Sequence, residues 1–501
     1  MSKLPLVEGV LKYIKENNTL LCMPGHKGGK GFRNTAMGRE LYENFIKGDI
    51  TEVDGLDNLH NAEGIIREAQ EYLAQFYQSK KSYFLVNGST SGNLAMIFTS
   101  FNEGDKIIVE RNCHKSIFNG IMLRKLKPVY IKNKINKKYD APLSIEEEYF
   151  LCVLEENSDA KGIIITYPNY YGVCPDLDFI IREAKKRNMK VLVDSAHGAH
   201  FGICKGLPES AVKLGADMVV MSSHKTLPSF TQSAYLHVGE GIDSDKVEFY
   251  LSIFLSTSPS YMLMSSMDYA RFYLEEYGKE DYKRLLEIAE VYRDKINKVK
   301  GFHVLGREDM WKEDIDLSRY VINLEKGYSA SKFSKYLREK NIQAEMNDNQ
   351  NVILIFSPFN RKEDFEKLYN VIKECPLDSL KQEYYNILNY NITESKLAPF
   401  EILNRKTKEI NLQDAAGKIC AKSIVPYPPG VPLVMMGETI DEDIIGMIKY
   451  YLANGTDVIG VTKDSGEFRV ESGKLKMSVR ELKRDKEDRE NIEWKVKVVD
   501  E

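Results

Sequence analysis

An α/β fold with a mostly parallel central sheet is what this sequence predicts, on three observations. Short, β-branched apolar runs recur between residues 82 and 238 without polar alternation, as strands buried on both faces require. Helical patterns lie between several of these runs. Glycines, hydroxyls, histidines, an aspartate and a lysine collect just after them, where ligands gather in open α/β sheets.

The elements follow in order. Residues 5–17 read as a short helix. The rest of the N-terminal segment, 1–61, reads as loops, because Met23-Pro24-Gly25-His26-Lys27-Gly28-Gly29 is too rich in glycine for a helix interior. Seven candidate strands span 82–86, 106–110, 128–131, 162–166, 190–193, 218–221 and 233–238. The stretch 177–187 is a connecting helix, with Phe179, Ile180, Ile181 and Ala184 apolar and charges elsewhere. A long helical region, 261–298, closes a large domain, 62–300. A smaller α/β domain, 301–377, has strands at 301–305, 318–323, 342–346 and 352–356 and helices at 330–340 and 362–373. A polar, tyrosine-rich connection, 378–395, leads to a C-terminal domain, 397–501. Its charge-dense end, 474–501, reads as a solvated edge.

Composition excludes several classes. At 501 residues the chain is long enough for two to four domains. A net charge of −4 recruits neither nucleic acid nor an anionic membrane. The seven cysteines are scattered and form no CxxC pair, which argues against a disulfide framework or a zinc site and suits a cytoplasmic protein. The first residues are mixed and charged, and no apolar run reaches ~18 residues, so neither a signal peptide nor a membrane span is expected.

Two segments carry the most chemistry: Val193-Asp194-Ser195-Ala196-His197-Gly198 and Ser222-Ser223-His224-Lys225. Lys225 stands just past an apolar run, so a buried strand delivers it. Partial burial would lower its pKa and favour imine formation. Asp194 ends the run 191–193; a turn or cap carboxylate is the ordinary alternative for such a residue. An amine and an acid so placed suit pyridoxal 5'-phosphate (PLP). The lysine holds the aldehyde, and the acid keeps the ring nitrogen protonated. Ala196 is small enough to let a ring lie flat. His197 and His200 have no cysteine or carboxylate at ligand spacing, so no metal is expected.

Asn87-Gly88-Ser89-Thr90-Ser91-Gly92-Asn93 follows a candidate strand and precedes a helical stretch, 94–98. Glycines, hydroxyls and a helix N-terminus suit a phosphate, although an ordinary N-cap has the same composition. No GK[ST] follows, so this is not a Walker A loop. His114 follows another strand, where it is placed either to stack on a flat ring or to serve as a structural histidine.

Together the segments resemble the bacterial ornithine/lysine/arginine decarboxylases of PLP fold type I, the aspartate-aminotransferase-like fold. The matching segments begin with Pro24-Gly25-His26-Lys27, Asp54-Gly55-Leu56-Asp57-Asn58-Leu59-His60, Gly88 to Gly92 and Arg111 to Ser116. They continue with Tyr167-Pro168-Asn169-Tyr170-Tyr171-Gly172-Val173, Asp194 to His200 and Ser222 to Lys225. Ser256-Thr257-Ser258-Pro259-Ser260-Tyr261 and Pro426-Tyr427-Pro428-Pro429-Gly430-Val431-Pro432 complete the set. The chain is most similar to the short Gram-positive-type arginine decarboxylases. With Pro24 so early, no N-terminal wing domain is expected.

The resemblance implies a seven-stranded, mostly parallel sheet and PLP as cofactor. Lys225 would form the imine, Asp194 would pair with the pyridine nitrogen and His114 would stack on the ring, with Ala196 and His197 beside it. Ser89, Thr90, Ser91, Ser222 and His224 would surround the phosphate. Thr257 and Ser258 would reach a neighbouring subunit's cofactor, which implies a homodimer or higher oligomer with shared sites. Lys225 or His224 would return a proton to the substrate's α-carbon. The substrate would be a basic amino acid: arginine first, giving agmatine for polyamine synthesis, then lysine, then ornithine. Its distal cation needs an acid, and Glu345, Asp348 and Glu438 are candidates, with His26 near the substrate. Two positions depart from the family pattern: Ser195 replaces a frequent glutamate and Asn169 a usual threonine. They would alter the hydrogen bonds around Asp194 and the shape of the pocket. Two alternatives share Lys225 and Asp194: another fold-type-I enzyme such as an aminotransferase or carbon–sulfur lyase, and an inactive regulatory homologue.

Overall fold

In the computed structural model, residues 3–382, 392–427, 431–453, 456–463 and 494–500 are described. Contacts divide the chain into two units, Met1–Asn386 and Ile387–Glu501.

Pro5, in the first turn, opens helix α1 (Pro5–Lys15). None of its residues is buried, and Leu4, Leu6, Val7, Val10, Leu11 and Ile14 are all exposed. Strand β1 (Thr19–Leu21) follows within the segment that reads as loop. It forms because the distant segment Ile342–Ala344 pairs with it in parallel, a partner invisible to local pattern.

The main sheet comprises β2 (Lys81–Leu85), β3 (Lys106–Glu110), β4 (Lys127–Ile131), β5 (Gly162–Thr166), β6 (Lys190–Asp194), β7 (Met218–Met221) and β8 (Ala234–Val238). Their order is β2-β8-β7-β6-β5-β3-β4. β8 runs antiparallel to both its neighbours and the other pairs are parallel. The apolar runs are buried throughout β7 and β8 and over most of the others, which is why they lack polar alternation. Helix α2 (Gly88–Ser100) starts earlier than the apolar pattern indicates. Gly88, at φ 73°, turns the chain out of β2 in a conformation that L side chains rarely adopt, and the hydroxyl residues then form the first turn.

A second sheet holds β9 (Phe302–Val304), β10 (Arg319–Leu324), β12 (Met346–Asn347) and β13 (Asn351–Ile355), in the order β9-β10-β13-β12, while β11 (Ile342–Ala344) pairs with β1. The expected single strand 342–346 is therefore broken at Glu345. The chain on one side serves β1 and on the other β13, so Glu345 sits at the switch.

The unit Ile387–Glu501 contains a three-stranded antiparallel sheet, Thr407–Asn411, Trp494–Val499 and Val461–Lys463, and a helix, Glu442–Ala453. Its core gathers Leu412, Ile424, Val434, Ile444, Ile448 and Val496. Pro428 to Gly430 of the YPPG segment, residues 383–391 of the connection and most of 474–501 lie outside the described residues. No described helix is long and apolar enough to cross a membrane.

Candidate active site

The register of the main sheet brings the chemistry to one edge. Thr166 and Val220 pair on either side of Asp194, so three adjacent strands end level. Ser222, His224 and Lys225 follow directly from β7, and Gln232 Nε2 donates to Val86 O at 2.8 Å, tying this region to the start of α2.

Lys225 Nζ lies 3.1 Å from His197 Nε2. Burial pulls the lysine down to about 8, with Arg319 pushing the same way and Asp194 and Glu345 opposing. His224 donates from Nδ1 to Ser233 O at 2.8 Å. Burial, its dominant influence, takes it down to about 4, so the ring is neutral near pH 7.

Asp194 is 2% exposed. Its Oδ1 accepts from Ala196 N at 3.1 Å, and its Oδ2 from Asn93 Nδ2 at 2.9 Å. The same Asn93 amide donates to Ser116 Oγ at 2.8 Å, and Ser116 Oγ stands 2.7 Å from His114 Nδ1. Ser116 N also donates to that Nδ1. His114 Nδ1 is therefore an acceptor, and a neutral His114 carries its proton on Nε2. Its depth among protein groups lowers its basicity; Lys225 and Lys115 add to this and Asp194 opposes it. One polar chain thus runs from the acid to the histidine expected to stack. Asn93 and Ser116 were not singled out from sequence, although Asn93 ends the glycine–hydroxyl segment that was.

At the start of α2, Asn87 turns its side chain away from capping: Oδ1 accepts from Ser256 N at 3.1 Å. Ser89 and Thr90 are accessible, and Ser91 Oγ donates to Gly88 O. Ser222 Oγ is buried and finds no partner among the described residues. Thr257 and Ser258 are exposed and, through Ser256, lie beside this chain's own α2 terminus.

The PGHK segment braces the lysine loop. Gly25 N donates to His224 O at 2.8 Å, and Ser357 Oγ donates to Gly25 O at 2.7 Å. Lys27 is buried and donates to Cys22 O and Ile355 O. His26 accepts from Gly29 N and packs on Phe32. A Cβ on Gly25 would lie 2.5 Å from Thr226 C and 2.6 Å from Leu227 O. Backbone cannot yield there cheaply, so Gly25→Ala is expected to cost ~1–3 kcal/mol, read as a lowered Tm, and to displace Lys225.

Of the three candidate substrate acids, Glu345 shares the electrostatic surroundings of Lys225. Its Oε2 accepts from Met23 N at 2.9 Å, and its Oε1 lies 3.4 Å from Tyr170 Oη. Asp348 is spent on Tyr171 Oη and on its own turn, where it accepts from Gln350 N and Asn351 N. Glu438, fully buried in the other unit, accepts from Met435 N. Neither departure from the family pattern touches the acid. Ser195 Oγ has no partner among the described residues, and Asp194 is satisfied by Asn93 and Ala196. Asn169 receives Tyr171 N and Val173 N and donates to Pro142 O and Leu143 O, so it shapes the loop's backbone.

The sequence matches the Orn/Lys/Arg decarboxylase major domain over residues 4–321 and the C-terminal domain of the same family over residues 378–458. The chain belongs to the Orn/Lys/Arg decarboxylase family. Relatives within it include YaaO of Bacillus subtilis (strain 168), an uncharacterized protein 34% identical over 92% of this chain and 96% of its own. An arginine decarboxylase of the same organism is 32% identical over 91% of this chain and 95% of its own. The solved lysine decarboxylase LdcF of Francisella novicida superposes with a TM-score of 0.79 at 21% identity, covering 96% of this chain and 78% of that one, which shows a shared fold. Membership in the Orn/Lys/Arg decarboxylase family makes this chain an amino-acid decarboxylase with the aspartate-aminotransferase-like fold.

Proposed function

We propose that this protein is a PLP-dependent arginine decarboxylase, releasing agmatine and CO₂. The observation that carries the reading is the convergence of Lys225, Asp194 and the open N-terminus of α2 at one sheet edge, in a chain related over nine-tenths of its length to an arginine decarboxylase.

The residues fit the cofactor. The buried, unpartnered Ser222 hydroxyl and the first-turn amides of α2 are donors suited to a phosphate, with Ser89, Thr90, Ser91 and His224 around them. Asp194, held by Asn93 and Ala196, is the acceptor for a ring N–H, and His114 and Ala196 would flank the ring. Lys225 is the amine for the aldehyde. When bound, PLP supplies the sink for the electron pair left by the departing carboxylate. The protein's part is orientation, electrostatics and proton delivery. Lys225, near 8, is suited to returning a proton to the α-carbon. His224 is not, because its one ring proton is committed to Ser233 O.

Glu345 meets the substrate's distal cation. Glu345→Gln keeps an acceptor for Met23 N and removes the charge. It is expected to raise KM for arginine ~10–100-fold, the worth of a charge-assisted hydrogen bond, in steady-state kinetics. The exposed apolar residues of α1 and the exposed Thr257 and Ser258 support a homodimer, to be checked by sedimentation.

The deciding assay offers purified protein and PLP arginine, lysine and ornithine separately and identifies amine and CO₂. Agmatine is the expected product. Cadaverine or putrescine alone would move the substrate within the family, and a keto acid without CO₂ would overturn the reading.

A further inference from the structure

Two contacts at Lys225 together fix a proton. Arg319 Nη2 stands 3.1 Å from His197 Nδ1, and His197 Nε2 stands 3.1 Å from Lys225 Nζ. A guanidinium has donors alone and keeps its charge in proteins. Nδ1 must therefore accept, which leaves the ring's proton on Nε2. An Nε2–H facing an ammonium would set donor against donor. A free amine, its lone pair toward the ring, makes the contact a hydrogen bond. Building on the reading of Lys225 as the cofactor-holding amine, we propose that Arg319 and His197 are positioning residues that shift Lys225 toward the free base, the form that attacks a carbonyl.

The surroundings agree. Arg319 is 2% exposed and His197 is 4% exposed. Arg319 Nη1 donates to Tyr170 O at 2.5 Å, and the Tyr170 ring packs edge-on against His197 with centroids 4.8 Å apart. Tyr170 thereby holds both the imidazole and its partner Arg319. The charges facing Lys225 are Asp194 and Glu345, which favour the ammonium, and Arg319, which opposes it. The titratable groups facing His197 are Lys225, Arg319, His114 and His224, and in its protonated form each would oppose a charged ring. Burial acts in the same sense on both, taking Lys225 down to about 8 and His197 well below its ordinary value.

The test uses the full-length protein stripped of cofactor. Trace acetylation of Lys225 by acetic anhydride, read by mass spectrometry across pH, gives the titration of the amine. NMR of ¹⁵N-histidine protein gives the tautomer of His197. The wild type is expected to titrate at or below about 8 and to carry the His197 proton on Nε2. Arg319→Gln should raise the titration by about one pH unit and cut labelling at neutral pH about tenfold. Arg319→Lys, which keeps a cationic donor, should restore most of the rate, a rescue that a purely structural role would not predict. His197→Phe should shift the profile in the same direction. An unshifted profile in Arg319→Gln, or an Nδ1–H tautomer in the wild type, overturns the relay. If Arg319→Gln does not fold, the wild-type tautomer and the His197→Phe profile decide. A wild type with this titration that makes no amine from any basic amino acid would sink the decarboxylase reading and leave the relay standing.

Discussion

Lys225→Ala is expected to reduce amine formation at least ~10³-fold and to abolish the absorbance near the visible edge that appears when PLP joins the wild type. Two functions leave with one side chain. The amine proposed to hold the aldehyde is gone, and so is the group proposed to return a proton to the α-carbon, a role worth ~10²–10⁴-fold alone. The fold should survive. Lys225 lies in a short helical turn after β7, and neighbours that keep their own bonds brace the loop: His224 O receives Gly25 N, and His224 Nδ1 donates to Ser233 O. Thermal unfolding near that of the wild type would therefore separate lost chemistry from lost structure. Added alkylamines offer a further separation: partial recovery of turnover would mean that an amine at this position suffices. A variant with nearly wild-type turnover would rule out the lysine's role.

How much of this was legible in the chain depends on the range of the interactions involved. The main sheet was legible because most of its strands carry an apolar run, and burial on both faces writes that pattern locally. The placement of Asp194, Lys225 and His114 at strand ends was legible because Asp194 closes one apolar run and Lys225 and His114 stand four residues past two others. Glu345 was recognised as an acid, but the strand break that places it was not. That break exists because β11 pairs with β1, more than three hundred residues away in sequence. Asp348 and Glu438 looked equally eligible, since sequence shows carboxylates and not the backbone amides that occupy them. Arg319 carried no signal at all. It begins a strand between Ser318 and Tyr320, and its meaning comes entirely from contacts with the distant Tyr170 and His197. Asn93 is intermediate. Its segment was read as a phosphate cup, and the structure adds that the segment's last residue faces Asp194 instead.

That contact shapes the second large expectation. Asp194→Asn is expected to lower kcat at least ~10²-fold, the scale of losing one preorganised electrostatic group. The substitution preserves size, so its effect is one of charge and donor–acceptor parity. Both oxygens of Asp194 accept from fixed donors: Asn93 Nδ2 on one side and Ala196 N on the other. An asparagine must turn its NH₂ toward one of them. Asn93 can escape the clash by flipping, because its Oδ1 has no partner among the described residues. The flip would then break the link to Ser116 Oγ and so loosen His114. A buried amide turned against a donor costs ~1–3 kcal/mol, which should appear as a lower Tm. Asn93→Ala isolates that structural part: it removes the donor while leaving the charge. It should retain much more turnover than Asp194→Asn, because the carboxylate proposed to face the ring nitrogen remains. Equal losses in the two variants would mean that geometry, and not the carboxylate's charge, supplies the effect. An unaffected rate in Asp194→Asn would show that the acid has been misassigned.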